Sequence, residues 1–300
     1  LISYKMIDVF GLGQSCWDYI GQIESYPPAD SKCELSSIIE SGGGPAATAL
    51  TALARWGLTC AFSGVFGDDS YGRRMIVDFR AEGIDTSGAV IRPNASSQVA
   101  FIVFEKNTAR RTIFWRRPDG EEIQADEINF EQLRKSRAFY TDGLFIDASL
   151  AAAQVARKAG IPVIVDAGTL RARSLELTAL SDYFIVSRSF ARALTGSDEP
   201  QKACLDLQKQ GPKVVGVTLG EKGSLILAGN RWIECPAYPV DTIDTTGCGD
   251  VFHAAITYGV LNNWDIAKTV DFASWTAAQV STRIGGRAGI PPAGNYRERS

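Results

Sequence analysis

Hydrophobic and polar positions switch period repeatedly along the 300 residues. "YKMIDVFGLG" (4–13) is an apolar run ending in a glycine turn, the pattern of a buried strand. "GGGPAATALTALARWG" (42–57) is a glycine turn entering a helix of small side chains, and "TCAFSGVFGDDSYG" (59–72) is a strand followed by an acidic loop. "YGRRMIVDFRAEGI" (71–84) has helical spacing. "AAAQVARKAGIPVIVDAG" (151–168) reads as helix, turn and apolar strand, and "YFIVS" (183–187) as another short strand. "ACLDLQKQGPKVVGVTLGEKGSLIL" then runs helix, turn, strand, turn, strand. Strands alternating with helices predict an α/β fold with a largely parallel sheet. Residues 14–41 and 97–117 break the alternation. "SQVAFIVFE" and "RRTIFWRR" look like hairpin strands around "KNTA". A small strand-rich flap built from these two distant pieces accounts for both. The expected division is core 1–13, lid 14–41, core 42–96, lid 97–117, and core 118–300 carrying the nucleotide-binding and catalytic loops.

Composition narrows the picture. Hydrophobic residues make up 45% of the chain, enough for a sizeable core. The formal net charge of -3 supplies no broad attraction to phosphate backbones, so no nucleic-acid partner is expected. No apolar run is long enough for a bilayer and no signal-peptide pattern opens the chain, so no membrane partner and a cytoplasmic location are expected. Six scattered cysteines without a CxxC read as buried free thiols. His253 is the single histidine, which excludes a multi-histidine metal site.

Candidate chemistry concentrates in "DTTGCGDVFHAA" (244–255), between a strand-like "WIECPAYPVDTID" and a helix-like "VFHAAITYGVL". A glycine-rich loop feeding a helix leaves backbone N–H groups able to surround an anion, and Gly247 and Gly249 permit close approach. A carboxylate beside an anion site repels phosphate unless it has a task. Asp250 can take the proton of an attacking hydroxyl while the backbone of Gly247, Cys248 and Gly249 stabilises the transferring group. The alternative is a helix cap, with the glycines merely making the turn. The spacing fits neither a P-loop nor a GxGxxG fingerprint. Gly42, Gly43 and Gly44 offer either bare backbone to a polyhydroxylated ligand or tight helix–strand packing. Asp18 can hold sugar hydroxyls or be a solvated acid.

Taken together, "DTTGCGDVFHAA", Asp18 after "GLGQSCW", "GGGPAATALTALARWG", "FSGVFGDDSYG", "LTG" at 194–196, "VTLGEKGS" at 217–224 and "GGRAGIP" at 285–291 resemble the ribokinase-like, or PfkB-type, carbohydrate kinases over nearly the whole chain. "SKCELSSIIESGGGPAATA", "DTTGCGDVFHAA" and "GGRAGIP" look most like the sulfofructose kinase branch. The resemblance implies a doubly wound, mostly parallel sheet with a small β-sheet lid, and transfer of the ATP γ-phosphoryl group to the hydroxyl of a ketose or related sugar. It implies Asp250 as base, the 247–249 backbone as anion hole, and Asp18, Gly42 and Gly43 as sugar contacts. Thr218, Gly220 and Gly223 match the nucleotide side, and Asp244 and Thr246 match positions near a monovalent cation such as K+. Mg2+ would accompany ATP, and a lid edge suits a homodimer. A nucleoside kinase and a catalytically weak sugar- or nucleotide-binding regulator are the alternatives.

The departures are specific. Ala47 stands where many of these kinases have asparagine, and Ser187 and Phe190 where the common pattern has asparagine and glutamate. Lys32 matches a lysine for the sugar's anionic end or is an ordinary exposed lysine, and Phe114 and Leu144 replace its companion asparagine and arginine. Arg116 and Arg117 are alternative anion contacts or a solvated edge. His253 reads as a phosphate contact or a packed imidazole, and Trp115 and Phe114 as ligand surface or lid packing. Arg287 reads as a group approaching the nucleotide or cation loop or, most simply, as a solvated surface group, and Asp68 and Asp69 as turn-stabilising acids or ligand contacts.

Overall fold

A computed structural model describes residues 6–106, 108 and 111–299. In chain order the strands and α-helices are β1 (Val9–Leu12), β2 (Cys16–Ile23), β3 (Ser37–Gly43), α1 (Pro45–Arg55), β4 (Cys60–Gly67), α2 (Ser70–Ala81), β5 (Asp85–Arg92), β6 (Val99–Glu105), β7 (Arg111–Arg116), α3 (Phe130–Arg134), β8 (Ala138–Thr141), α4 (Ile146–Lys158), β9 (Val163–Ala167), α5 (Ser174–Leu180), β10 (Tyr183–Ser187), α6 (Arg188–Thr195), α7 (Pro200–Gln208), β11 (Val214–Thr218), β12 (Ser224–Ala228), β13 (Arg231–Cys235), α8 (Cys248–Leu261) and α9 (Ile266–Val280).

Nine strands form the central sheet in the order β13-β12-β11-β10-β9-β8-β1-β4-β5. From β5 to β11 every neighbouring pair is parallel; β12 and β13 return antiparallel at one edge. The central strands are mostly apolar because both faces are covered, with polar residues gathered mainly at their carboxyl ends. Val9, Phe62, Ile164 and Ile185 pack with α1, α8 and α9, while Phe10, Ala61, Val165 and Phe184 pack with α4, α6 and α7. This two-sided winding is the doubly wound α/β fold expected from the alternation of strands and helices.

Strand order reverses between β1 and β8: β4 and β5 lie to one side, β9 to β11 to the other. Such a reversal leaves a crevice outside the carboxyl ends of the strands. Several of the helix starts are fixed by short-range chemistry. Gly44, at φ 92, turns the chain into Pro45 and α1, and Asp69 caps α2 through the Gly72 N–H at 2.8 Å.

The second sheet has four strands, β3-β2-β6-β7, drawn from the two stretches that broke the alternation, with β3 running on to Gly43, two residues past the expected boundary at 41. Cys16, Ile20, Ala100, Ile102 and Phe104 form its buried face, against Ile39 and Ile284. Since Ile284 belongs to the segment after α9, this face looks toward the main body. Pairing places Arg111 opposite Phe104, Ile113 opposite Ile102, and Trp115 opposite Ala100, so these three share it. Phe114 lies opposite Phe101 on the other face.

One local reading differs from the structure, and one strand had no reading. "WIECPAYPVDTID" is a strand only to Cys235, because Pro236 and Pro239 remove ladder donors beyond it. Residues 85–92, which carry no strong alternation, pair with β4 through a register shift between Ala61 and Ser63.

Candidate active site

The carboxyl edge of the central sheet carries a row of polar groups. Thr218 ends β11 beside Ser187 at the end of β10. Asp166 lies near the end of β9, Asp142 follows β8, and Gly13 follows β1. Asp142 bridges the point of strand reversal: its Oδ2 accepts from the Gln14 N–H at 2.7 Å and the Ala46 N–H at 3.3 Å, and its Oδ1 from the Leu144 N–H at 3.0 Å. A side chain at Gly13 would collide with this carboxylate, which accounts for the glycine. Burial pushes Asp142 up to about 6 despite those donors.

Helix α8 points its start at this row. Its N-cap is Gly247, at φ 76, with no side chain closing the first turn. Only glycine fits there, because a Cβ would meet the Gly286 backbone as well as the left-handed dihedral. At Gly249 a Cβ would meet nothing within 4 Å, so the space at the helix start is open. Free N–H groups, a helix dipole and open space together suit an anion. Asp250 is the third residue of α8 and does not cap it. Its half-buried carboxyl is pushed up to about 8, first by burial, then by the charges of Asp166 and Asp142, with Arg111 opposing them. A carboxylate so raised is a stronger base than an exposed one.

Cys248 is likewise pushed up to about 12, chiefly by burial, so its thiol stays protonated. Asp244 is buried and fixes the loop: Oδ1 accepts from the Thr246 N–H at 2.9 Å and hydroxyl at 2.7 Å, and Oδ2 from the Gly285 N–H at 2.9 Å. His253 is packed beneath the helix start, with Nδ1 2.7 Å from the Gly249 carbonyl and 3.3 Å from Asp166, and Nε2 3.1 Å from the Ile185 carbonyl. Tyr140, fully buried, donates to Asp166 at 3.1 Å.

The second sheet brings Asp18, buried on β2 and raised by desolvation. A Cβ at Gly43 would occupy the space of its carboxylate. A Cβ at Gly42 would strike the ion pair of Asp78 and Arg287, so close packing explains this glycine. Arg287 is only 5% exposed and also donates to the Gly43 carbonyl at 3.4 Å. Its expected place on the solvated surface is therefore corrected: a guanidinium with a carboxylate partner can be buried, here between α2 and the second sheet. Arg111, on β7, donates to the Thr245 hydroxyl of the α8 loop.

Thr218, Gly220 and Gly223 lie on the β11–β12 turn, where Gly220 (φ 62) and Gly223 (φ 89) take left-handed dihedrals. Ser187 caps α6, accepting from the Phe190 N–H at 3.1 Å and donating to the Gly168 carbonyl at 2.6 Å. Phe190 is buried against Phe184 at 5.9 Å between ring centroids and faces no ligand space. Lys32 is exposed on the β2–β3 connection and makes no ion pair among the described residues. Arg116 donates to the Ser97 carbonyl, and Arg117 lies over the Trp115 ring at 4.9 Å. Among the described residues no three His, Cys, Asp or Glu side chains are arranged to hold a metal.

Asp142, Asp166 and Arg111 were not singled out by their sequence setting. A signal existed for the acids: each follows a strand-like run one or two residues before a glycine, in "FYTDG" and "VIVDAG". At the carboxyl end of a parallel strand that pattern places a carboxylate in the crevice. Arg111 had no comparable signal, since its relevance depends on sheet register.

The model for the "pfkB family carbohydrate kinase" matches residues 6–293. The rice (Oryza sativa subsp. japonica) protein fructokinase-2 is 25% identical over 308 aligned positions, covering 94% of this chain and 90% of the rice protein. Among solved structures, the Arabidopsis thaliana ribokinase complexed with ribose and ATP superposes with a TM-score of 0.81 at 21% identity, covering 97% of each chain. The Sinorhizobium meliloti adenosine kinase does so with a TM-score of 0.81 at 22% identity, covering 94% of this chain and 96% of its own. With its sheet reversal, its uncapped α8 and the match over almost its full length, this chain belongs to the pfkB family of ATP-dependent carbohydrate kinases.

Proposed function

We propose that Asp250 removes the proton of a sugar hydroxyl as that oxygen attacks the γ-phosphorus of ATP, and that the acceptor is a ketose or a closely related sugar derivative. The observation that carries this reading is the raised carboxyl of Asp250 at an open, uncapped helix start. The N–H groups of Gly247, Cys248 and Gly249 face the transferring oxygens, where negative charge spreads in the transition state. ATP supplies the phosphoryl group when bound, lying along the Thr218–Gly223 turn. Asp18, with the backbone of Gly42 and Gly43, orients the sugar from the second sheet. That sheet acts as a lid that excludes water and aligns the hydroxyl.

Mg2+ enters with the nucleotide phosphates rather than through a prebuilt protein site, since Phe190 is turned into the core and Ser187 is occupied as a cap. A monovalent cation such as K+ would be held near Asp244 and Thr246. Lys32 is placed at the distal, anionic end of the acceptor, in keeping with the sulfofructose likeness. A homodimer through the lid completes the reading.

The test is an ATP-dependent phosphorylation screen over neutral, phosphorylated and sulfonated ketoses, aldoses and nucleosides, with products mapped by NMR. A ketose product supports the proposal, and a product on a nucleoside alone replaces it with nucleoside kinase activity. The burial of Phe190 favours a second reading, a catalytically weak sugar- or nucleotide-binding regulator. Saturable sugar binding without product would establish that one.

A further inference from the structure

Four consecutive residues after α9 each meet a different part of the candidate site. Ile284 packs into the buried face of the second sheet. The Gly285 N–H donates to Asp244 at 2.9 Å, and Gly286 lies against the backbone of Gly247 at the start of α8. Arg287 reaches instead to the end of β3. Its guanidinium pairs with Asp78 of α2 and donates to the Gly43 carbonyl at 3.4 Å, while its own carbonyl accepts from Arg55 at 2.6 Å. Gly42 and Gly43, as neighbours on a strand, face opposite ways. A Cβ on Gly42 would strike Arg287 and Asp78, and one on Gly43 would strike the carboxylate of Asp18. The strand end thus separates a buried cation from a buried acid.

The two charges act on each other across it. Desolvation raises the Asp18 carboxyl and the charge of Asp244 adds to the rise, while the Cys16 thiol and Arg287 oppose it. Burial works against the charge of Arg287 in turn, and Asp78, Asp18 and Glu82 oppose that. Arg287 is held there at a cost, since its Nε is buried with no hydrogen-bond partner among the described residues. An apolar side chain of similar size would avoid that cost, so charge is what this position supplies. An ionised carboxylate accepts hydrogen bonds at both oxygens, and a protonated one gives up part of that capacity.

We propose that Arg287 is a positioning residue for the acceptor: its charge, acting across Gly43, keeps the Asp18 carboxylate open to two sugar hydroxyls, and its bonds to Asp78 and Gly43 fix the strand end beside that carboxylate. The inference rests on the kinase reading above, in which Asp18 orients the sugar. Arg287 touches no reacting atom. It governs how tightly the acceptor is held and leaves the phosphoryl step to the α8 loop.

The test uses the ketose that the screen turns over with the highest kcat/KM. It compares wild type, Arg287→Gln, Arg287→Lys, Asp18→Asn and the Asp18→Asn/Arg287→Gln double variant. Arg287→Gln should raise acceptor KM about tenfold or more and leave kcat within about threefold. Arg287→Lys should recover part of the loss. Calorimetry with Mg2+ and ADP should give Arg287→Gln an ADP affinity within about twofold of wild type, because the nucleotide turn is untouched. In the Asp18→Asn background, adding Arg287→Gln should raise acceptor KM by no more than about twofold, since the charge it serves is already gone. A merely structural arginine would give additive losses instead. Loss of Arg287 leaves Asp78 without its partner and can unfold the chain. The paired Asp78→Leu/Arg287→Met variant removes both charges together, and it should keep the fold in thermal melts and show the same rise in acceptor KM. An acceptor KM within about twofold of wild type in Arg287→Gln and in the paired variant overturns the role of Arg287 and leaves the kinase reading standing. Additive losses with Asp18→Asn also overturn it, assigning Arg287 to packing alone, as does a fall confined to kcat. A wild type that transfers phosphate to no sugar overturns both.

Discussion

Asp250 carries two opposed consequences of one environment. Its folded carboxyl is raised to about 8 from an ordinary value of 3.8, so ionising it opposes folding. The cost is absent below pH 3.8, grows as pH rises, and is complete above about 8. Asp250→Asn should therefore unfold at a higher temperature than wild type at pH 9, with a gain of about 2–5 kcal/mol, and show no such gain at pH 3.5. Thermal melts at both pH values check it. The same variant should lose phosphoryl transfer by about 1000-fold while retaining most ADP and sugar binding, since the shape of the site is kept. In wild type, kcat/KM should rise with pH toward a midpoint near 8, because the base works only when deprotonated in the free enzyme. A flat profile from pH 6 to 9 would count against Asp250 as the base. Gly247 tests the neighbouring backbone. Gly247→Ala forces a Cβ into the Gly286 backbone at a left-handed dihedral, so it should cost about 1–3 kcal/mol in urea denaturation and lower kcat more than sugar affinity.

At the scale of elements, α6 decides how the departure at Phe190 is understood. Ser187 caps this helix and Phe190 fills the core under it, so the pair serves folding. Phe190→Glu, which restores the acid of the common family pattern, should place a carboxylate among Phe184 and its neighbours. The expected outcome is a loss of at least about 3 kcal/mol in denaturant unfolding and no gain in Mg2+ affinity. Tighter Mg2+ binding with unchanged stability would show that α6 can turn this position outward. The alternation of apolar runs and helices was enough to read the parallel sheet and to mark 14–41 and 97–117 as foreign to it. Glycines at turns were legible because their need is local: Gly247 and Gly223 are required by their own dihedrals and nearest backbone. The burial of Arg287 was not legible. It depends on Asp78 meeting it across 209 residues, a pairing that only the assembled sheets create. Arg111 was hidden for the same reason, as one residue of register on β7 would have sent it to the opposite face.

At the scale of the whole molecule, the second sheet holds out an apolar face that the described residues of one chain leave largely exposed. Across the second sheet, Tyr19, Phe101 and Phe114 stand in register on β2, β6 and β7, with Tyr19 and Phe101 stacked at 5.2 Å. Phe101 is 55% exposed, Phe114 58%, and Ile38 on β3 61%. Tyr19 also packs edge-on against Tyr71 of α2 at 6.3 Å, but no packing among the described residues accounts for the exposure of Phe101, Phe114 and Ile38. β3 and β7 are both edge strands, and an exposed edge beside an apolar face is a surface that association covers. A two-fold arrangement sets the same row of rings against its own image, which makes a second copy the simplest occupant. Multi-angle light scattering at micromolar concentration should give twice the monomer mass, and Phe101→Glu should return the monomer by placing like charges across the two-fold axis. Dimer loss should also slow turnover, because the sheet that carries Asp18 and Arg111 would lose the support that fixes its angle to the body. A wild type that stays monomeric at all working concentrations removes the dimer. A monomeric Phe101→Glu with full kcat separates assembly from catalysis.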